Sequence, residues 1–225
     1  MSARQGASCA NVPQGVSCVR VPRLCAKEPC INDKGDVYRP QQDVFTLLLP
    51  SPSGPHGTWC GGREKAPAAF LRKALCSDTE FEMWGDGKQT RSFCYVDDAV
   101  EGLYRVFASD YKEPLNVGSD EMVSMNGMAE MAMEIAGKHG KKGTLPINHI
   151  PGPEGVRGRN SNNDLIKKVL GWAPGISLKD GLERTAPWIL ARINEKEKEG
   201  VNLASYASSK VVQTEAASTI GEKKI

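Results

Sequence analysis

Histidine is scarce in this chain: three residues in 225, at positions 56, 139 and 149. None of the seven cysteines forms a Cys-x-x-Cys pair, so a zinc site is not expected. An odd cysteine count in a chain of this size also speaks against a disulfide scaffold and for reduced thiols. An excess of one charge is missing as well. The net charge is +2, which excludes nucleic acid or an acidic membrane surface as partners drawn by bulk charge. No apolar run approaches the ~20 residues of a membrane span; the longest, Val44 to Leu49, contains Thr46 and stops at Pro50. Arginines and serines but no acid precede Glu28, a composition like that of a transit peptide, though without its amphipathic helix pattern. A cytoplasmic protein is the expectation. The glycine-rich turn that grips a dinucleotide pyrophosphate is absent too. Gly152, Gly155 and Gly158 have suitable spacing but lie among prolines and arginines, with no strand-turn-helix start before them.

What is present is an ordinary globular composition, 25% charged and 40% hydrophobic, with one or two domains expected for this length. A chain of this size can bury roughly 70% of its unfolded surface. Residues 1–53 differ in character from the rest. They hold four of the cysteines and scattered prolines, and only Val44 to Leu49 reads as a strand. From residue 54 onward short strands alternate with helices, the pattern of an α/β domain. A first helix is predicted from Pro67 to Cys76, with proline in the first turn where its missing N–H does no harm. Phe81 to Trp84 reads as a strand, Gly85-Asp86-Gly87 as a hairpin turn and Gln89 to Val96 as the return strand, with Gln89, Arg91, Phe93 and Tyr95 on one face. Asp98 and Glu101 have capping-box spacing, and Val100, Leu103, Tyr104 and Phe107 share a face of the helix they open. Ser124 is placed to cap a helix bearing Met125, Met128, Ala132 and Ile135, methionines that read as core packing. A further helix starts at Asn163 or Asp164 and ends at Gly171, and the last one carries Leu178, Leu182, Thr185 and Ile189 inward.

Several runs together carry a family resemblance. They are Gly57-Thr58-Trp59, Gly61-Gly62-Arg63-Glu64-Lys65-Ala66-Pro67, Phe81-Glu82-Met83-Trp84-Gly85-Asp86-Gly87, Gln89-Thr90-Arg91-Ser92-Phe93, Gly118 to Asn126, Ile150 to Ser161, Leu170-Gly171-Trp172-Ala173-Pro174 and Ser208 to Val212. From Gly54 to about Val212 the chain resembles the plant-type GDP-mannose 3,5-epimerases, which belong to the extended short-chain dehydrogenase/reductases. The glycine hairpin and the Leu-Gly-Trp-x-Pro corner are shared widely among nucleotide-sugar enzymes. The Gly-Gly-Arg-Glu-Lys-Ala-Pro and Pro-Gly-Pro-Glu-Gly-Val-Arg-Gly-Arg runs are far more specific.

The resemblance implies a division of the chain: an unrelated or disordered segment at 1–53, an epimerase C-terminal substrate-binding region at 54–209, and a flexible tail at 210–225. The fold implied is the substrate-binding part of a Rossmann-type NAD(P)-binding enzyme with most of its parallel sheet missing. The reaction implied converts GDP-D-mannose to GDP-L-galactose, on the route to ascorbate and cell-wall precursors. C4 is transiently oxidised by NAD, which acidifies the neighbouring C3 and C5 protons for acid/base exchange. Lys65 matches the acid/base lysine, and Arg63 together with a helix amino end would favour its neutral form. Arg91 and Arg159 match residues that hold the diphosphate, where guanidinium forks fit phosphate oxygens. Glu64, Ala66, Lys73, Gln89, Thr90 and Ser209 match other substrate contacts, while Arg157 is expected to be structural. GDP-mannose and related GDP-hexoses are the implied ligands and a homodimer the implied assembly.

The resemblance also has gaps. The family's glycine-rich turn, its Tyr-x-x-x-Lys pair and its catalytic cysteine in a Ser-x-Cys strand have no counterpart here, and Cys60 stands where the family has lysine. The expectation is therefore a chain that is N-terminally truncated, lacks turnover and binds NAD poorly. Two alternatives stay open: a non-catalytic module that pairs with a full-length epimerase, and another nucleotide-sugar epimerase or dehydratase.

Overall fold

The structure, a computed structural model, describes residues 16–22, 30–31, 37–38, 44–50, 52–152 and 157–209, with the backbone alone described for the strands up to residue 50 and for Arg159. In chain order the elements are β1 (Val16–Pro22), β2 (Cys30–Ile31), β3 (Val37–Tyr38), β4 (Val44–Pro50), α1 (Ala66–Cys76), β5 (Phe81–Trp84), β6 (Thr90–Arg91), α2 (Val96–Ala108) and β7 (Leu115–Asn116). They continue with β8 (Val123–Ser124), α3 (Met125–Lys138), β9 (Ile147–Ile150), β10 (Gly158–Arg159), α4 (Asp164–Leu170), α5 (Leu178–Lys198) and α6 (Ala204–Ala207). The tail expected at 210–225 lies outside the described residues. Contacts divide the chain into two units, one of residues 1–53, 91–122 and 158–178, the other of 54–90, 123–157 and 179–225.

In the first unit β4 is the middle strand of a three-stranded sheet, antiparallel to β1 and parallel to β7. Leu47 and Leu48 of β4 pair with Leu115 and Asn116 of β7. A single strand was expected before residue 54; four are described, β2 and β3 forming their own antiparallel ladder. The overlooked signal is the β-branched content of Val16-Ser17-Cys18-Val19-Arg20-Val21, which favours extended backbone even where polar and apolar residues do not alternate strictly. Just beyond β4, Ser53 bridges in parallel to Tyr95 and places α2.

The core of this unit is Val106, Leu115, Val117 and Ile166, flanked by Leu103, Phe107, Leu170 and Trp172. Gly102 makes the packing possible, since a Cβ there would sit 2.4 Å from Val117 Cγ1. Two expectations for α2 fail. Asp98 does not cap the helix; its carboxylate accepts the backbone N–H groups of Gly175 at 2.9 Å and Ile176 at 2.8 Å, while Glu101 pairs with Arg105. The inward face is Ala99, Gly102 and Val106, so Val100 and Tyr104 are 60% and 67% exposed. The α4 terminus behaves as expected, with Gly171 at φ +61, the left-handed conformation that glycine adopts without strain.

The second unit is built around α1. Leu71, Ala74 and Leu75 are buried, and α1 packs against α3, α6 and β5. From α3, Met128, Ala129, Ala132 and Ile135 are buried, and from α5 Leu182, Ile189 and Ile193. Ser124 caps α3 as anticipated, its hydroxyl accepting Gly127 N–H at 3.0 Å. The expected hairpin after β5 does not form. β5 runs parallel to β9, pairing Phe81 with Ile147 and Trp84 with Ile150, and β6 is only two residues long. The reason lies in the turn. Gly85 and Gly87 have positive φ as the sequence implies, but the carbonyls of Gly87 and Gln89 accept from Asn126 N–H and Met125 N–H. The outgoing chain is thereby drawn to the start of α3 instead of folding back along β5.

Candidate functional site

The loop before α1 is shaped by an ion pair that its sequence does not advertise. Glu64 and Arg72 meet at 2.9 Å with both side chains about 6% exposed. The second carboxylate oxygen of Glu64 accepts Gly62 N–H at 2.7 Å. Gly61 and Gly62 both have positive φ, so the glycine pair supplies a bend that other residues would resist. The result is a fixed approach to α1, with Lys65 at its N-cap position. Lys65 is exposed. The amino end of α1 has no capping side chain and no acid in its first turn, leaving the helix dipole and the nearby cations to attract an anion. Ala66 opens the helix, half-buried.

Further along α1 the structure brings Lys73 and Ser209 together. The Lys73 ammonium donates to Glu82 O at 2.9 Å and to the Ser209 hydroxyl, and Ser209 N–H donates to the Glu82 carboxylate. The rings of Phe70 and Phe81 lie 5.9 and 5.8 Å from the amine. Burial, reinforced by the positive charge of Arg72 and opposed by Glu82 and Glu64, lowers Lys73 to about 8. Two residues matched to substrate contacts are therefore in contact with each other across a long stretch of sequence. Burial also pushes the Cys76 thiol up to about 11 and Cys94 to about 12, and raises Cys60, so each of these thiols stays protonated near neutrality.

Gln89 presents its backbone carbonyl to Met125, and its side-chain oxygen is buried without a hydrogen-bond partner among the described residues. Thr90 N–H donates to the backbone carbonyl of Arg157 at 2.8 Å. Arg91 and Arg159 fall in the first unit, on the neighbouring strands β6 and β10. Lys65, Glu64, Ala66, Lys73, Gln89, Thr90 and Ser209 fall in the second. Sequence reasoning passed over Arg72, Glu82, Trp59 and Tyr206. A signal for Arg72 and Lys73 did exist: Ala-Pro-Ala-Ala-Phe-Leu-Arg-Lys-Ala-Leu-Cys has two adjacent polar residues and no wet face, so both must be buried and partnered. Nothing local announces the stacking of Trp59 on Tyr206, 5.4 Å apart and 17° from parallel.

Residues 37–118 match the NAD dependent epimerase/dehydratase family. GDP-mannose 3,5-epimerase 1 of Oryza sativa subsp. japonica is 59% identical over 168 residues, covering 75% of this chain and 43% of that protein. GDP-mannose 3,5-epimerase of Arabidopsis thaliana is 58% identical over the same span and coverage. Over the matched span the chain is similar to members of this family. It spans less than half the length of these curated relatives. Among solved structures, UDP-glucose 4-epimerase of Thermotoga maritima with UDP-glucose is 26% identical at a TM-score of 0.57, covering 65% of this chain and 46% of that one. The Rossmann-type α/β fold class follows from these relations and from the parallel pairings of β4 with β7 and β5 with β9. The family match opens at residue 37, ahead of the boundary expected at 54.

NAD, the cofactor of the epimerase family, does not fit the described residues. Its pyrophosphate needs a glycine-rich turn running from a strand into a helix with free N–H groups. The amino end of α2 carries Asp97 and Asp98, and that of α4 carries Asp164. In α3 the first N–H groups are already taken by Gln89, Gly87 and Ser124, and in α5 Leu178 N–H is taken by Glu121. α1 is preceded by lysine and has proline in its first turn, which removes one donor. Among the described residues no cluster of histidine, cysteine or carboxylate is suited to a metal ion, and no helix is long and apolar enough to cross a membrane.

Proposed function

We propose that this chain carries the sugar-nucleotide-binding part of a GDP-hexose epimerase, with GDP-mannose as its ligand and Lys65 as the group that would exchange a proton with the hexose. The carrying observation is the Gly61–Lys65 loop. It is specific in sequence, locked by Glu64 to Arg72, and presents an exposed amine at an acid-free helix end. Curated relatives named GDP-mannose 3,5-epimerase, 58–59% identical, support the choice of GDP-mannose over other nucleotide sugars. In this reading Ala66, Lys73, Gln89, Thr90 and Ser209 are ligand contacts, and the motifs of Arg91 and Arg159 suit them to a diphosphate. Glu64 acts on the loop, since both its oxygens are engaged. A cytoplasmic homodimer completes the reading.

Titration calorimetry tests it. GDP-mannose should bind the full chain with measurable heat, UDP-glucose far more weakly. Lys65→Met should weaken GDP-mannose by about tenfold or less, since one solvent-facing charge contributes little to affinity. Equal binding of UDP-glucose, or no heat with GDP-mannose, would sink the assignment. The misfit of NAD favours a second reading, a non-catalytic module that pairs with a longer epimerase. Co-purification of this chain with an intact epimerase would support that reading, and a solitary monomer in the same preparation would count against it.

A further inference from the structure

Two distant parts of the sequence flank the proposed ligand site, the loop up to Lys65 and the segment ending at Ser209, and one buried side chain touches both. Arg72 is 5% exposed. One terminal nitrogen, Nη2, donates to Glu64 Oε1 at 2.9 Å. The other, Nη1, donates to the carbonyl of Tyr206 and, at 3.4 Å, to that of Ser208. Glu64 passes the constraint to Gly62. On the far side, Ser209 is tied to the next residue of α1, Lys73, and to Glu82. Trp59 stacking on Tyr206 joins the same two segments a second time.

The chemistry of this arrangement requires arginine. A guanidinium has donors on both sides of a rigid plane and can serve a carboxylate and two carbonyls at once, whereas an ammonium is a point charge on a flexible stem. Packing alone would be better served by leucine or methionine, because a buried cation carries a desolvation penalty. Arg72 Nε, moreover, is buried with no partner among the described residues, a cost that core packing does not repay.

We propose that Arg72 is a positioning residue that sets the Gly61–Lys65 loop and the Tyr206–Ser209 segment in register, so that the Lys65 amine and the Ser209 hydroxyl meet one diphosphate-linked hexose together. The inference rests on the proposed GDP-hexose site. α1 is the beam between the two segments and Arg72 the joint. Glu64, which the family resemblance implies as a ligand contact, acts in this scheme through Arg72 and Gly62.

The test uses the full chain and two readouts. Amide hydrogen exchange is followed at residues 62–65 and 205–209 in the wild type, Glu64→Gln, Arg72→Lys and Arg72→Met. GDP-mannose and free GDP are then titrated into each by calorimetry. Glu64→Gln, the mild variant, should speed exchange at 205–209, on the far side of Arg72, as well as at its own loop. Arg72→Met should speed exchange at both segments and weaken GDP-mannose by about tenfold or more, in line with loss of a charge-assisted hydrogen bond. Free GDP, which has no hexose to be met from both sides, should lose clearly less. Arg72→Lys should fail to rescue. The proposal is overturned if Glu64→Gln leaves 205–209 unchanged, if Arg72→Lys behaves as wild type, or if GDP and GDP-mannose weaken equally. A wild-type chain that binds no GDP-mannose overturns the functional reading instead, and the exchange data then decide separately whether the two segments are coupled.

Discussion

Lys73 shows how burial reshapes a single residue. Its amine sits between two phenylalanine rings and next to a guanidinium, with one carbonyl and one hydroxyl as partners. The folded value of about 8 lies below the ordinary 10.5, so the folded state binds the proton less tightly than the unfolded chain does. Between those two values the unfolded state carries more protons, and stability must rise with pH across that window. Replacing Lys73 by methionine removes this part of the slope. Urea denaturation from about pH 7.5 to about pH 10.5 should show wild-type stability rising relative to that of Lys73→Met, the contribution of the buried Cys76 and Cys94 thiols being common to both. A wild type that weakens relative to the variant as pH rises would show that Lys73 is held charged by its partners. Lys65, which is exposed, is singled out by its motif alone. Lys73 and Arg72 lie in a helix with no wet side, a pattern that can be read in the sequence but not interpreted without the partners at 206–209.

At the level of elements, α2 separates what sequence patterning can reach from what it cannot. The helix was legible, but it opens at Val96, ahead of the cap expected at Asp98. Its inward face was not legible, because apolar periodicity pointed to Val100 and Tyr104 while Gly102 and Asp98 in fact face inward. Glycine there signals close approach to Val117, and Asp98 signals orphan N–H groups elsewhere in the chain. A capping box and a buried anchor look alike in one dimension, since both place a carboxylate in the first turn. They differ in the cost of losing that carboxylate. Asp98→Ala should cost about 2–4 kcal/mol, because two backbone N–H groups lose a charged acceptor at once; loss of a cap would cost about 1 kcal/mol. The shift in urea midpoint distinguishes them, and a loss at the lower figure would return Asp98 to the helix end. The hairpin after β5 failed for a related reason. Its glycines were read correctly, but strand pairing is decided by which backbone groups are left over, and those of Gly87 and Gln89 go to α3.

For the whole molecule the deciding relation is between family and length. The family was legible because a run such as Gly-Gly-Arg-Glu-Lys-Ala-Pro combines a bend, a carboxylate that locks it, a cation and a helix start. Each part has a physical task in the structure, and together they survive as a recognisable string. The strands before residue 54 were largely illegible, since short pairings depend on partners far along the chain. What the described residues hold in the proposed reading is an exposed amine at the acid-free end of α1. What they lack is a glycine-rich turn entering a helix whose N–H groups are free. Affinity for NAD depends on that feature, because the pyrophosphate is held by backbone donors and a helix dipole acting together. α2 and α4 present carboxylates where a phosphate would lie, the first three N–H groups of α3 are engaged, and so is the first of α5. Calorimetry of the full chain with NAD should therefore give no saturable heat at micromolar concentration, under conditions in which GDP-mannose binds. Saturable one-to-one binding of NAD in that range would mean that a pyrophosphate site exists which these helices do not contain.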